Sequence, residues 1–576
     1  MNKRLLWYSL SVVTLAAALW GVAQIVATRA DLPSLFPDNA LMYIEAKDFH
    51  ALLNDWNSSG EKRSWLKGDD YATFSRSRLF DRLSQAQTEF SAAASISTDD
   101  TLLASVAGDQ SALAVYDIGN LQFVYVTRLS QAKIEATPLW QVRNKFEQRM
   151  EGAAAFYVHV DQQSSRTAAF TARDGWLILG TREDLVAGVL DRLQGAHTHS
   201  LPEDPWYADS LKQAARPAGD LRMVLNLEKL VPSPYFRSYW VQRNITEMKQ
   251  YRAALSDLHR SADSYREDRV LLRRPGVNGS TSGDVKPLMN LAPEDAVFAS
   301  AQASPDVDRV LAVLRENLLE VKPVQQRSSW TGAPAVAQSE NAGSASSLEE
   351  RIDLAPAIAA HSDPYQPLHT LLAAAQPSAM LETYTTRSAK DEMFVAIDRG
   401  VVLISASPWE EPAVQTAIST ALRQGLTASQ LGIEWTQHSD ANGAYASLSG
   451  QVPLHIALRG DRLFLADSEA LLTAMLSRNQ LPATSKAGSA TYSAVFQHTA
   501  PEQQNFRKLV SRLDAVGHGN KTQDDGQTGD RQEPPFFSGN AASVSKMFSQ
   551  VERETMDEQD NDTHVTQTVV YSWRRR

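Results

Sequence analysis

The sequence has no cysteine and no surplus of positive charge. Its 576 residues include 56 Lys and Arg against 67 Asp and Glu, a formal net charge of −11. The missing cysteine excludes disulfide bonds, thiolate nucleophiles and cysteine-ligated zinc, and it is compatible with an oxidising compartment. The negative charge argues against nucleic acid as a partner, because phosphate binding needs a basic surface.

The common catalytic and nucleotide-binding motifs are lacking as well. We find no glycine-rich phosphate loop, no G-x-S-x-G turn and no HExxH helix. His197 and His199 are spaced like a pair of zinc ligands, but their short polar surroundings favour a solvated loop. The acidic run 557–562 lacks the glycine and distal glutamate of a calcium loop, which favours a solvated hairpin turn. We therefore predict no catalytic residue, no cofactor and no metal site.

A long uncharged, apolar run stands at the N-terminus. Residues 5–27 read LLWYSLSVVTLAAALWGVAQIVA and carry no charge. At about 1.5 Å per residue this run can cross a hydrocarbon core of about 30 Å. Lys3 and Arg4 precede it, so residues 1–4 are predicted to be a cytoplasmic tail. We predict a single-pass signal anchor in the inner (cytoplasmic) membrane with the body in the periplasm or otherwise outside the cytoplasm. A cleaved signal peptide is the alternative, and it too exports the body.

The body contains a repeated pattern. LFPDNALMY from Leu35 resembles LAPEDAVFA from Leu291, and WLILGTREDLVAGVL from Trp176 aligns without gaps to RLFLADSEALLTAML from Arg462. Thr181 and the matching Asp467 are expected to cap the helices that follow. The offset grows from 256 to 286 residues, which requires an insertion in the second copy. We place it in the low-complexity stretch 321–347.

These patterns predict an α+β fold: a single N-terminal transmembrane helix followed by two repeated antiparallel-sheet-plus-helix domains. Repeat 1 is predicted at 33–274, a linker at 275–285 and repeat 2 at 286–576, with a polar loop at 517–533. Closely spaced strands such as AAFYVHV, RTAAFTA and GWLILG leave no room for crossover helices, so they pair antiparallel.

Several elements are expected from local pattern. Helices are predicted at FHALLNDW and VDRVLAVL, at SRSRLFDRLSQAQTEFSAAAS from Ser75, at ITEMKQYRAALSDLHRSADSY from Ile245, and at 138–148 and 412–424. Strand–turn–strand units are predicted around Gly119-Asn120 and around Arg399-Gly400. The aromatic cluster at 235–240 is either a partner-binding patch or one packed face of a helix.

Three segments, FPDNALMYIEAKDFHALLNDW, SRLFDRLSQAQTEF and SALAVYDIG, resemble a family of membrane-anchored bacterial envelope proteins whose domain has no assigned function. The resemblance covers mainly the first half. It implies an exported α+β protein with no known activity, and it supplies no catalytic residues.

Three functions follow as hypotheses. The first is a non-enzymatic binding or scaffolding module of the cell envelope, with an envelope protein or lipid as partner. The second is a carrier of lipid or another hydrophobic ligand, since a curved sheet covered by helices can enclose an apolar cavity. The third is a hydrolase whose triad is assembled from distant loops.

Overall fold

The fold is described from a computed structural model of the chain. The described residues are 31–66, 71, 75, 78–196, 198–215, 217–234, 248–277, 283–319, 363–387, 396–426, 434–448, 453–479, 489–498 and 551–573. The predicted anchor at 5–27, the low-complexity stretch 321–347, the aromatic cluster 235–240 and the polar loop 517–533 lie outside them. Within this part of the chain, no helix has both the length and the apolar character to cross a membrane.

The described strands fall into two sets. The first set is β1 (Met42–Ala46), β2 (Ser111–Asp117), β3 (Gln122–Arg128), β4 (Glu147–Glu151), β5 (Ala154–Val160), β6 (Thr167–Arg173), β7 (Trp176–Gly180), β8 (Leu221–Leu225), β9 (Tyr251–Arg260) and β10 (Ser264–Arg273). The second set is β11 (Phe298–Ala303), β12 (Pro377–Arg387), β13 (Ala396–Ser405), β14 (Trp435–Asp440), β15 (Gly443–Leu448), β16 (Leu454–Arg459), β17 (Arg462–Ala466), β18 (Tyr492–Gln497), β19 (Val551–Asp560) and β20 (His564–Trp573).

The described helices are mostly short. Those of the first half are α1 (Phe49–Ser58), α2 (Gly60–Leu66), α3 (Arg78–Ala94), α4 (Asp100–Val106), α5 (Gln131–Ala136), α6 (Pro138–Gln141), α7 (Glu183–Leu193), α8 (Pro205–Gln213) and α9 (Leu227–Leu230). Those of the second half are α10 (Lys286–Met289), α11 (Val307–Leu314), α12 (Gln366–Ala375), α13 (Glu411–Leu426) and α14 (Glu469–Asn479), with a π-helical turn at Arg315–Leu319.

All described strands belong to one antiparallel sheet. Following the pairings from neighbour to neighbour, the first half runs β4-β5-β6-β7-β3-β2-β1-β8-β9-β10. The second half runs β14-β15-β16-β17-β13-β12-β11-β18-β19-β20. The same ten-strand order therefore occurs twice, and the α+β fold class is confirmed.

The two halves meet where β10 pairs with β20. This pairing runs from Ser264 opposite Ser572 to Leu272 opposite His564, and it makes the sheet continuous. Asp268 lies opposite Thr568, which is 300 residues later in the chain and occupies the same place in its own half. The Thr568 hydroxyl donates to the Asp268 carboxylate at 2.9 Å. The halves are thus related by a local two-fold axis at this pair.

Corresponding aspartates cap corresponding helices in the two halves. Asp48 accepts a hydrogen bond from the Ala51 amide at the start of α1, and Asp306 accepts one from the Arg309 amide at the start of α11. Such caps satisfy amides that have no partner inside the helix. At 2.8 Å and 2.7 Å the two caps have nearly the same length.

The prediction that Thr181 and Asp467 cap the helices that follow them is wrong. Thr181 accepts from the Phe123 amide at 2.9 Å, and Asp467 accepts from the Arg399 amide at 2.7 Å. Both acceptors therefore bind the neighbouring strand, β3 or β13, instead of the helix that follows them. The helical faces they precede are buried as predicted, through the residues Leu185, Val186, Val189, Leu190, Leu471, Leu472, Met475 and Leu476.

Helices cover both faces of the sheet. One face, called here the α7 face, packs against α7 and α8 in the first half and against α10 and α14 in the second. The other, called the α3 face, packs against α3 to α6 in the first half and against α11 to α13 in the second. Each half thus has a core on each side of its strands.

Three local predictions are wrong. The helix predicted from Ile245 is the strand β9 from Tyr251, where Ala253, Leu255 and Asp257 alternate towards the core. The turn predicted at Arg399-Gly400 lies inside β13, which pairs along both edges. The helix predicted at 138–148 ends early, and its last residues start β4. In each case strand pairing outweighs local propensity.

Other local predictions are confirmed. The helices at FHALLNDW, VDRVLAVL and SRLFDRLSQAQTEF and the one at 412–424 are α1, α11, α3 and α13. The hairpin at Gly119-Asn120 joins β2 and β3, and the three closely spaced strands are β5, β6 and β7, which pair antiparallel.

Candidate functional site

A pocket of about 550 Å³ opens on the α3 face of the first half. Its floor is the sheet, from which Ile44, Leu113 and Leu179 project. Its walls come from helices that follow the strands, with Phe49 on α1 and Leu102 on α4. Most of the lining residues are apolar, and a volume of this size is typical of small-molecule sites.

Aromatic rings close part of this pocket. Phe49 and Tyr125 meet edge to face with ring centroids 6.5 Å apart, and Phe90 lies 5.9 Å from Phe123. The Tyr125 hydroxyl donates to the Val106 carbonyl at 2.8 Å, so its polar end is satisfied by the protein. The pocket therefore presents ring surface to a ligand and leaves no hydroxyl of Tyr125 to be satisfied.

The mouth of this pocket has polar and apolar sides. Leu103 is 40% exposed although it lines the pocket. Asp99 accepts hydrogen bonds from the Thr101 and Leu102 amides at the start of α4, and the Leu102 bond is the largest of the influences that lower its pKa. Asp100 is 3.6 Å from the ammonium of Lys62. An apolar ligand would thus enter past a leucine and the side chains of two aspartates.

The second half has a pocket at the corresponding place, with a volume of about 390 Å³. The strand pairings fix the correspondence. Ile44 lies opposite Leu113 and Met223 in the first half, whereas Ser300 lies opposite Glu382 and Ala494 in the second. Two of the three side chains in this central row, Ser300 and Glu382, are therefore polar where Ile44 and Leu113 are apolar.

Glu382 is buried, with 8% of its surface exposed. The Tyr384 hydroxyl donates to it at 3.3 Å, and the Arg309 guanidinium and the Asn317 amide each approach to 3.5 Å. Burial raises the pKa of Glu382 and outweighs the charge of Arg309, which acts in the opposite direction. The carboxylate thus has long, weak contacts with its neighbours inside the pocket.

A polar cluster is buried on the α7 face of the first half. Arg222 donates to both oxygens of Asp257, at 2.8 Å and 2.7 Å, from the neighbouring strand. The Tyr43 hydroxyl donates to Glu45 at 2.9 Å, and burial raises the pKa of both groups. The Tyr207 hydroxyl is buried and has no hydrogen-bond partner among the described residues.

The second half retains part of this cluster. Asp557 corresponds to Asp257, and Ser493 corresponds to Arg222. The Ser493 hydroxyl donates to Asp557 at 2.8 Å, and Lys286 supplies the positive charge. Each half thus has a carboxylate at the same strand position, and a different basic side chain neutralises it in each half. We therefore interpret this cluster as structural.

One serine–histidine pair among the described residues bears on the hypothesis that the protein is a hydrolase. Ser447 and the Nδ1 atom of His455 are 2.7 Å apart. Burial lowers the pKa of His455, and the Glu469 carboxylate that opposes this effect accepts a hydrogen bond from Tyr445. Among the described residues, no carboxylate accepts a hydrogen bond from Nε2 of this histidine, so the arrangement required of a catalytic triad is not formed here.

The weak metal candidates occupy different places. His197 lies outside the described residues. The side chain of His199 is 80% exposed, with its Nδ1 atom 2.9 Å from Glu203. The prediction of a hairpin turn at 557–562 is wrong for its first four residues, which belong to β19, where Asp557 and Asp560 form ion pairs. The described residues contain no group of three or more side chains suited to hold a metal ion.

Sequence reasoning did not find the two pockets. Their apolar lining residues, such as Ile44 and Leu113, follow the same alternation as any strand that covers a core. Only the replacement of Leu113 by Glu382 is visible in the sequence, and reading it requires the register between the two halves.

Comparison with known proteins identifies no relative: no family model, no curated protein and no solved structure matches this chain.

Proposed function

We propose that the chain is a non-enzymatic binding protein of the cell envelope that holds a hydrophobic small molecule, such as an acyl chain, in the first pocket. The observation that carries this proposal is the apolar lining of a pocket of about 550 Å³ on the α3 face. Each methylene removed from water contributes about 0.8 kcal/mol, so a chain of about ten carbons gains enough to offset the entropy lost on binding.

The N-terminal run at 5–27 supports a location at the membrane for this binding activity. An uncharged run of this length, preceded by Lys3 and Arg4, is typical of a single-pass anchor with its body outside the cytoplasm. We propose that the body is held at the outer surface of the inner membrane, where lipids are within reach. The repeated strand order supports an origin by duplication of one ten-strand unit.

The test is binding of a fluorescent fatty-acid probe to the full chain in detergent, with lipid extraction of the purified protein in parallel. Leu113→Trp fills the floor of the pocket and is expected to weaken probe binding by roughly tenfold or more, because the added ring occupies space that the chain needs. Met150→Trp is the matched control, since Met150 is 59% exposed on β4.

Equal probe affinity in the wild type and in Leu113→Trp would overturn the proposal. A Leu113→Trp protein that no longer shows the far-UV circular dichroism of the wild type would not be informative. Leu103→Ser provides a second variant in that case, because Leu103 is half exposed at the mouth and its replacement leaves the core intact.

A further inference from the structure

The second pocket differs from the first in the kind of group that it can hold. Its floor carries Glu382 where the first pocket has Leu113, and Ser300 where the first has Ile44. A hydrocarbon placed there would remove water from a carboxylate whose contacts with the protein are long, which is unfavourable for the charged form. The second pocket is therefore not a second copy of the apolar site.

Four aromatic side chains line the same pocket as the carboxylate. The rings of Phe298 and Tyr384 are stacked with centroids 5.2 Å apart, and Phe496 lies 6.4 Å from Phe298. Tyr492 lines the same pocket from β18. The corresponding residues of the first half are Met42, Val115, Leu225 and Leu221. The second pocket thus has four rings and a carboxylate at positions where the first half has aliphatic side chains.

A carboxylate among aromatic rings is the chemistry that recognises an organic cation. Ring faces attract ammonium groups through their negative quadrupole, and the attraction increases when water is excluded. The carboxylate supplies the opposite charge. N-methyl groups fit such a site well because they make apolar contacts with the rings while the cation keeps its charge.

Arg309 is the present counter-ion, but it is poorly suited to remain so. Its side chain is half exposed, and its guanidinium is 3.5 Å from the Glu382 carboxylate. It projects from the first turn of α11, so its long side chain can turn towards solvent. A small cation that enters the pocket can displace it and approach the carboxylate more closely.

We propose that the second pocket binds an alkylammonium group, with Glu382 as its counter-ion, the four rings around its methyl groups and Arg309 as a displaceable competitor. This site is separate from the apolar pocket and does not depend on the function proposed for it. The cation has two sources, a free amine or a lipid headgroup, which share this chemistry.

The test uses choline and its neutral isostere, 3,3-dimethylbutan-1-ol, titrated calorimetrically into the full chain in detergent. Choline is expected to bind at least about tenfold more tightly than the alcohol. Glu382→Gln should reduce choline affinity by about tenfold or more, because it removes the opposite charge and preserves the shape. Glu411→Gln, a change on α13 outside the pocket, should leave the affinity unchanged.

Arg309→Met gives the sharpest readout. If Arg309 competes with the cation, this change raises choline affinity, whereas a structural role or a site for anions would lower it. Equal binding of choline and the alcohol, unchanged choline binding in Glu382→Gln, or weaker choline binding in Arg309→Met would each overturn the proposal. Dihexanoyl phosphatidylcholine distinguishes the sources: tighter binding than choline indicates a lipid headgroup, and weaker binding indicates a free amine.

Discussion

The ion pair between Arg222 and Asp257 allows a quantitative test of the core. Asp257 is fully buried, and only 15% of the Arg222 side chain is exposed. Replacing Arg222 by Met removes two short hydrogen bonds and leaves a carboxylate without its cation in the interior. Breaking a buried pair on one side costs about 3–5 kcal/mol, and we expect Arg222→Met to lower the free energy of unfolding by that amount.

The size of this loss should depend on the carboxylate that is left behind. In the double variant Arg222→Met/Asp257→Leu neither charge is buried, so most of the stability should return, to within about 1–2 kcal/mol of the wild type. Arg252→Met, on the neighbouring strand β9, is the matched control. Arg252 pairs with Asp209 at 2.7 Å, but both side chains are about 30% exposed, so the loss should stay below about 1 kcal/mol.

The measurement is unfolding of the full chain in detergent by urea, followed by tryptophan fluorescence and circular dichroism. The reasoning fails if Arg222→Met costs no more than Arg252→Met. It also fails if the double variant is as unstable as the single one, because the loss would then come from packing and not from the unpaired charge.

Two further predictions concern the buried Glu382 and the two equivalent helix caps. Burial raises the folded-state pKa of Glu382 above its ordinary 4.5, so the stability this group contributes is complete below pH 4.5 and is lost as pH rises through the folded pKa. In urea unfolding between pH 4 and pH 8, the free energy of unfolding of Glu382→Gln should therefore rise relative to that of the wild type as the pH rises. A difference between the two proteins that does not change with pH would contradict this. Asp48→Ala and Asp306→Ala each remove one helix cap, and each should lower the unfolding free energy by about 1 kcal/mol, whereas a large loss at only one site would show that the caps are not equivalent.

Some elements were predictable because their signal is local. The helix α3 has an apolar stripe, and the hairpin at Gly119-Asn120 has a turn between two apolar runs. The match between Trp176–Gly180 and Arg462–Ala466 identified corresponding strand–helix units correctly. These elements could be predicted because the residues that form them are close together in the sequence.

Other elements were decided by distant partners. The segment from Tyr251 reads as a helix, yet its alternate residues are buried because β8 and β10 pair with it along both edges. Arg399-Gly400 reads as a turn, yet β12 and β17 hold it extended on either side. Strand pairing is non-local, and the sequence of one segment contains little information about its partners.

The sequence by itself determined the absence of cysteine chemistry, the acidic character of the chain, the α+β class and the recurrence of one strand–helix pattern. Only the tertiary structure decided that β10 and β20 join the halves at Asp268 and Thr568, and that Leu113 and Glu382 occupy the same position in two pockets. The physical reason is that a pocket is formed by side chains far apart in sequence. Its chemistry is defined only when strand register places those side chains side by side.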